Sequence, residues 1–235
     1  MAYKELKRVL SKMGVASRMS SESIIRAGRV NVNGMIITDP NKAVSTSANI
    51  QVDGKRIGEK KMEIYAFNKP KGYITTMGDG DNRKKIADLM PKHQYLFPVG
   101  RLDKDSKGLI LLTNDNDFGN QILSPESKVD KTYRVKVKGE FKESDKERIL
   151  AGVTINNIEY SVKDIEIEKA RNSYSWLKIV LDEGKNREIR RILRAFDYTV
   201  HELIRIQIGN LKLEDLNIQP GEYKLVEKKE ILTSP

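Results

Sequence analysis

The stretch Gly100-Arg101-Leu102-Asp103-Lys104-Asp105-Ser106-Lys107-Gly108 separates two apolar segments, Leu96-Phe97-Pro98-Val99 before it and Leu109-Ile110-Leu111-Leu112 after it. Both flanks belong in a core, because burying a Leu or Ile side chain is worth roughly 1.5–3 kcal/mol. The charges between them do not, so the chain must leave the core and return within a few residues. Glycine at each end suits so tight an excursion, since glycine accepts backbone angles that other residues resist. Asp103 is thereby displayed at the rim of a packed scaffold, where reactive groups are commonly held. Alone, an aspartate in such a turn is a solvated surface residue; the rest of the chain gives it weight.

Leu6, Val9, Leu10 and Met13 have helical spacing, with Gly14 as a stop. Ser17 to Ala27 reads as a second helix, with Ser20 or Ser21 as N-cap, Ile24 and Ile25 facing inward and Gly28 closing it. Val30-Asn31-Val32-Asn33-Gly34 alternates and then turns, and Ile50-Gln51-Val52-Asp53-Gly54-Lys55 repeats the pattern. The net charge of the 235-residue chain is +10, and it is uneven. Residues 1–60 hold 11 Lys and Arg against 5 Asp and Glu, while residues 61–235 hold 32 against 28. A basic module favours acidic partners, of which nucleic acid is the commonest. Lys12, Arg18, Arg26 and Arg29 cluster around the two helices, where together they can grip backbone phosphates. Taken singly, each is a solubilising surface charge. The polar join Glu59-Lys60-Lys61 sets the expected boundary between a domain of residues 1–60 and one of residues 61–235.

In the larger region Ile64 to Asn68 reads as a strand cut by Pro70 and Gly72 and resumed over Tyr73 to Met77. Gly78 to Lys85 reads as an exposed loop, and Lys69, Lys71, Arg83, Lys84 and Lys85 as charges that could touch a nucleic acid, each alone also reading as a solvated surface charge. Short helices are expected over Ile86 to Met90, Asp117 to Leu123, Ser144 to Ala151 and Arg187 to Phe196. Strands are expected over Tyr133 to Val137, Val162 to Glu168, Ser175 to Leu181 and Glu202 to Ile208, and a loose tail after Glu227. The sum is an α+β chain: a small α/β module, then a domain on a mixed, mainly antiparallel sheet.

There is no cysteine, and the only histidines are His93 and His201, so disulfides, thiolate metal sites and multi-histidine metal sites are excluded. No run approaches the ~20 apolar residues that span a bilayer, and Met1-Ala2-Tyr3-Lys4-Glu5 does not resemble a secretion signal. A cytoplasmic protein is the simplest expectation. A monomer is expected too, because no heptad or long exposed apolar helix is visible.

Asn68-Lys69-Pro70-Lys71-Gly72-Tyr73, the Asp103 stretch, Lys131-Thr132-Tyr133-Arg134-Val135 and Glu183-Gly184-Lys185-Asn186-Arg187-Glu188-Ile189-Arg190-Arg191 occur in this order. No one of them specifies a family, but the ordered set resembles the ribosomal RNA pseudouridine synthases of the branch that carries an N-terminal S4 domain. The first 60 residues resemble that S4 RNA-binding domain, although Met19 stands after Arg18 where many relatives have a second basic residue. Asn31-Val32-Asn33-Gly34 and the helix Val9 to Gly14 look closer to the large-subunit than to the small-subunit members.

The resemblance implies isomerisation of a uridine in ribosomal RNA, most closely 23S, with no cofactor and no metal. It implies that Asp103 either attacks C1′ of the ribose or removes the C2′ proton. Arg190 would supply the cation beside Asp103, with Arg187 nearer RNA phosphate and Arg101 holding the gap left by the flipped-out nucleotide. Tyr133 would stack on the extruded base and assist proton removal from C5. Lys185 belongs to the same basic run as Arg187 and would bind substrate; Ile189 and Leu193 would pack in the core, one of them also lining the uracil pocket. The competing readings are the same chemistry on 16S RNA and a non-catalytic RNA-binding ribosome-assembly factor. A hydrolase pairing Asp103 with Asp105 is a third, weakened because their separation in a loop is undefined.

Overall fold

The computed structural model describes residues 3–16, 18–57, 62–77, 82–90 and 96–232. The first residue of the expected second helix, the join Glu59-Lys60-Lys61, part of the loop after Met77 and His93 lie outside the described residues. Contacts divide the chain into two units, one of Met1–Glu63 with Pro91–Phe97 and Thr113–Asn116, the other the remainder.

The first unit contains β1 (Tyr3–Glu5), α1 (Leu6–Lys12), α2 (Arg18–Arg26), β2 (Val30–Val32), β3 (Met35–Ile36), β4 (Ala43–Ser45), β5 (Ile50–Val52) and β6 (Lys55–Arg56). Strands β3-β2-β5-β6 form one antiparallel sheet, and β1 pairs with β4. Both tight hairpins turn on a residue pair at positive φ, Asn33 (52°) with Gly34 (91°) and Asp53 (51°) with Gly54 (74°). That is the geometry whose twist matches the flanking strands. Leu6, Val9, Leu10, Ile25, Val30, Val32, Val44 and Ile50 make its core. The expected N-caps are corrected: α2 already runs from Arg18, so Ser20 and Ser21 lie inside it, and Ser21 is fully buried.

The second unit is built on a nine-stranded sheet. Its strands are β7 (Ile64–Lys69), β8 (Phe97–Val99), β9 (Lys107–Thr113), β10 (Lys131–Lys138), β13 (Asp164–Arg171), β14 (Tyr174–Leu181), β15 (Val200–Ile208), β16 (Leu211–Lys212) and β17 (Tyr223–Val226). The main order is β13-β14-β10-β15-β9-β7-β17, with β8 on β9 and β16 on β15. The β15–β9 pair is parallel, whereas β10–β14, β10–β15, β13–β14, β15–β16 and β7–β17 are antiparallel. The helices α3 (Asn116–Leu123), α4 (Glu143–Leu150), α5 (Glu188–Ala195) and α6 (Lys228–Ile231) complete it, with the hairpin β11 (Val153–Ile155) and β12 (Ile158–Tyr160).

Strand β9 is a continuous apolar run because Leu109, Ile110, Leu111 and Leu112 are all fully buried, so both faces of the strand are covered. Strands β10 and β14 alternate instead: Tyr133, Val135 and Val137 and their neighbours Leu177, Ile179 and Leu181 are buried, while Arg134 is exposed. A core of Ile64, Ala66, Leu109, Leu111, Phe118, Ile122, Val226 and Ile231, among others, joins β7, β9, α3, β17 and α6.

Two further expectations are corrected. Tyr73 to Met77 does not resume a strand; one isolated bridge joins Ile74 to Lys85. Directly after Glu227 the chain is not loose: residues 228–231 form α6 and bury Ile231 completely, while residues 233–235 lie outside the described residues. The β11–β12 hairpin went unread, although its turn residues Asn156 and Asn157, both at positive φ, carry a hairpin signal of their own.

Candidate active site

The loop that enters β9 is held by its backbone. Lys69, at the end of β7, is fully buried, and its ammonium donates to the carbonyl oxygens of Ser106 (2.8 Å), Asp103 (3.1 Å) and Pro70 (3.2 Å). Three N–H bonds meet three acceptors, which satisfies the group. Burial nevertheless lowers its pKa to about 8, against the opposing pull of Asp103 and Asp105. Lys69 was expected to touch RNA; this is corrected, because an ammonium enclosed among carbonyls is out of reach. On the other side the Thr75 hydroxyl donates to the Leu102 carbonyl (2.7 Å) and accepts from the Leu102 amide (3.1 Å). The Gly72 amide donates to the Lys104 carbonyl at 2.8 Å. The loop is thus fixed while the Asp103 side chain stays one-third exposed.

Asp103 stands at a cavity of about 170 Å³ whose lining includes Arg101, Tyr133, Arg187, Ile189 and Arg205. That is smaller than the ~300–1,000 Å³ of drug-sized ligand sites and suits one flat heterocycle. Arg187 Nη1 donates to Asp103 Oδ2 at 3.0 Å, and Arg190 Nε lies 3.9 Å from the same oxygen. The order expected of these two arginines is therefore reversed in the structure. Their i,i+3 spacing implied one shared helix, but Arg187 is the N-cap of α5 with φ 53° and leaves the helical path. Arg190 sits one turn in, mostly buried, with Nη1 3.4 Å from the Val200 carbonyl and Nη2 3.5 Å from Ser106 Oγ. Burial, and then Arg187, lower its pKa.

Tyr133 is buried on β10, opposite Arg205 of β15, at a register shift between Thr132 and Tyr133. Ile189 is buried and lines the cavity, whereas Leu193 is buried and outside the lining. Arg101 and Lys185 are exposed on the lining; Lys71 is exposed and outside it. Lys185 pairs with Glu183 and donates to the Glu159 carbonyl at 2.9 Å. Asp105 is exposed and not on the lining, so it does not face Asp103 across the cavity. In the first unit Lys12, Arg26 and Arg29 are exposed, with Arg26 on Glu22 (2.8 Å) and Arg29 on Asp53 (2.5 Å). Exposed pairs of this kind hold their partners weakly and leave the cations available to a phosphate. Of Arg18 only the backbone is described.

Among the lining residues to which the sequence reading gave no role are Lys131, Arg205 and Glu188. Glu188 opens α5, accepts the Lys185 amide at 2.9 Å and is buried. Burial pushes its carboxyl up from 4.5 to about 7, the Lys185 amide opposes this, and Glu183 adds to it. The unfolded chain releases this proton near 4.5 and the folded chain keeps it to about 7. Stability therefore falls as pH rises between those values and is level above them, by up to roughly 3 kcal/mol. Glu188→Gln removes the ionisation and should flatten that slope. In urea unfolding the variant should gain on wild type by roughly 1–3 kcal/mol between pH 5 and pH 8; parallel pH profiles would show that Glu188 is ionised at neutral pH.

An S4 domain model matches residues 6–50, and a model described as RNA pseudouridylate synthase matches residues 63–195. An uncharacterized RNA pseudouridine synthase of Rickettsia typhi is 36% identical over 225 residues, covering 95% of this chain and 92% of its own. One of Mycobacterium tuberculosis is 35% identical over 232 residues, covering 96% and 91%. A solved pseudouridylate synthase shares the fold, with TM-score 0.67 over 97% of this chain and 98% of that one, at 24% identity. The cavity that holds Asp103 lies in the second unit, on the mixed sheet that follows the basic first unit. The chain belongs to the RNA pseudouridylate synthase family, with an S4 domain ahead of the synthase domain. Among its described residues, no helix is long and apolar enough to cross a membrane.

Proposed function

We propose that this enzyme isomerises one uridine of ribosomal RNA, in the large subunit, with Asp103 as the catalytic group. The observation that carries this is the meeting of Asp103, Tyr133 and Ile189 on one cavity sized for a single base. A uridine flipped into it would lie with its ribose C1′ at Asp103 and its ring between Tyr133 and Ile189, because an extruded base replaces lost stacking with side-chain faces. Asp103 then either bonds C1′ or removes the C2′ proton; in both routes the C1′–N1 bond breaks and its electron pair stays on uracil. The ring turns and C5 bonds C1′, displacing the Asp103 carboxylate in the first route or with Asp103 returning the proton to C2′ in the second; the C5 proton then leaves and N1 gains one. No atom is gained or lost, so neither metal nor cofactor is required.

Arg187 and Arg190 hold the Asp103 carboxylate and the sugar-phosphate around it, and Arg101 at the rim fills the gap in the RNA stack. Residues 1–60 form the RNA-gripping domain through Lys12, Arg18, Arg26 and Arg29, and residues 61–235 the catalytic domain. The enzyme works as a monomer in the cytoplasm. Support for the large-subunit substrate is the likeness of residues 9–14 and 31–34 to those members. The test is a pseudouridine map of 23S and 16S RNA after incubating unmodified transcripts or immature subunits with the protein. One new site in 23S RNA is expected. A site only in 16S RNA would move the substrate, and no site in either would end the ribosomal reading.

A further inference from the structure

Two buried cations of the cavity wall take no part in holding Asp103. Arg205 is 5% exposed and Lys131 is 8% exposed, and both line the cavity. Arg205 Nε donates to the Leu109 carbonyl at 2.6 Å, which fixes the guanidinium against β9. Its Nη2 is buried without any hydrogen-bond partner. Glu188 Oε1, on the same lining, is buried and unpartnered too, so the two do not satisfy each other. Lys131 donates to the Asp182 carbonyl at 3.2 Å; burial, and then the charge of Arg205, lower its pKa.

A buried donor left without an acceptor costs about 1–3 kcal/mol, more when it is charged. Two like charges held in one wall add to that cost. Such an arrangement suits a ligand that brings electron-rich oxygen atoms. The ring carbonyls of a uracil do this modestly, and those of a uracil anion strongly. Once the C1′–N1 bond breaks with its pair on N1, the charge spreads over N1, O2 and O4. The detached ring must stay charged and bound while it turns, and it becomes neutral overall only when C5 bonds C1′, loses its proton and N1 takes one up.

We propose that Arg205, supported by Lys131, holds the detached uracil as an anion while it reorients, an assignment that rests on the reading of this cavity as the uridine site. Arg205 is then a catalytic residue of the second half of the reaction as well as the first. Its Nε is anchored on a rigid strand and its Nη2 has no partner within the protein. That is preorganisation for a charge that exists only after bond cleavage.

Single-turnover conversion of a cognate RNA is compared for wild type, Arg205→Gln, Arg205→Lys and Lys131→Met, together with RNA affinity and thermal unfolding. Removing one such donor commonly costs about 100-fold or more in rate. Arg205→Gln should lose about that much with RNA affinity held within threefold, Arg205→Lys should recover part of it, and Lys131→Met should lose about tenfold. A separate measurement needs neither RNA nor turnover: binding of 5-nitrouracil, an anion at neutral pH, against uracil, which is neutral. Wild type should prefer the anion at least tenfold, and Arg205→Gln should lose that preference.

Arg205→Gln converting within threefold of wild type would overturn the proposal, as would a wild-type cavity with no preference for the anion. Equal losses in Arg205→Gln and Arg205→Lys, matched by equal losses of melting temperature, would make Arg205 a structural strut. Should Arg205→Gln fail to fold, Lys131→Met and the wild-type anion preference decide. If wild type converts no uridine, the reading of the cavity fails by itself, and the anion preference still reports on Arg205.

Discussion

Asp103→Asn should abolish conversion, by at least ~10⁴-fold, while RNA affinity stays within a few-fold and the melting temperature hardly moves. Asparagine has the shape of aspartate but neither attacks C1′ nor removes a proton at C2′. The loop should hold its course, because its backbone is anchored independently of the Asp103 side chain: Lys69 to the carbonyls of residues 103 and 106, Thr75 to residue 102 and Gly72 to residue 104. The Arg187–Asp103 ion pair is lost, but its side chains are 49% and 34% exposed. A pair so exposed contributes at most about 1 kcal/mol. Single-turnover kinetics and filter binding on the same RNA separate the two effects. Parallel loss of rate, affinity and melting temperature would mean that Asp103 props the fold rather than performs the chemistry.

Gly108→Ala should badly destabilise the sheet. Gly108 lies opposite Arg205 where β9 and β15 run parallel. A Cβ there would stand 2.9 Å from the Arg205 amide nitrogen and 3.0 Å from Ile204 Cγ2, and closer still to the Arg205 carbonyl. Its φ of 102° is also closed to L residues. The backbone cannot give way without opening the strand pair, so the cost should exceed about 4 kcal/mol, in the exceptional range for one substitution. Gly139→Ala is the control: φ is 83° there, yet nothing lies within 4 Å of the added carbon. It should cost only the ~1–2 kcal/mol of a left-handed side chain. Urea unfolding of the two variants compares them, and similar losses would mean that backbone angle rather than close approach governs position 108.

Much of this was legible because it is written in local order. The Asp103 turn, the Asn-Gly and Asp-Gly hairpins and the alternation of β10 and β14 each need only neighbours to be read. What failed was whatever depends on which side of a surface a residue ends. Lys69 next to Pro70 reads as a surface cation, yet β7 carries it into the interior, where carbonyls of a loop 34 residues away receive it. Arg205 looks like an outward charge between Ile204 and Ile206. Period two puts it on the face of Leu203, which is buried, and that parity was the available clue. Arg187 and Arg190 were assigned as if one helix held both, and a left-handed N-cap undid the spacing. Glu188 was hidden in a basic run, where a single carboxylate reads as charge balance.

The burial of Ile231 bears on the order in which the chain comes into being. The core of the first unit is drawn from residues 6 to 50 and is complete once that stretch has been made. The core of the second joins Ile64 and Ala66 to Val226 and Ile231, residues near opposite ends of its own sequence. Domains tend to fold in the order of synthesis. The core of the first unit can thus form early, while β7 must wait until residues 223–231 have been made before β17 and α6 join it. A polypeptide released just short of Ile231 would carry a first unit whose core is complete, and a second unit whose core of Ile64, Ala66 and Val226 lacks one of its members.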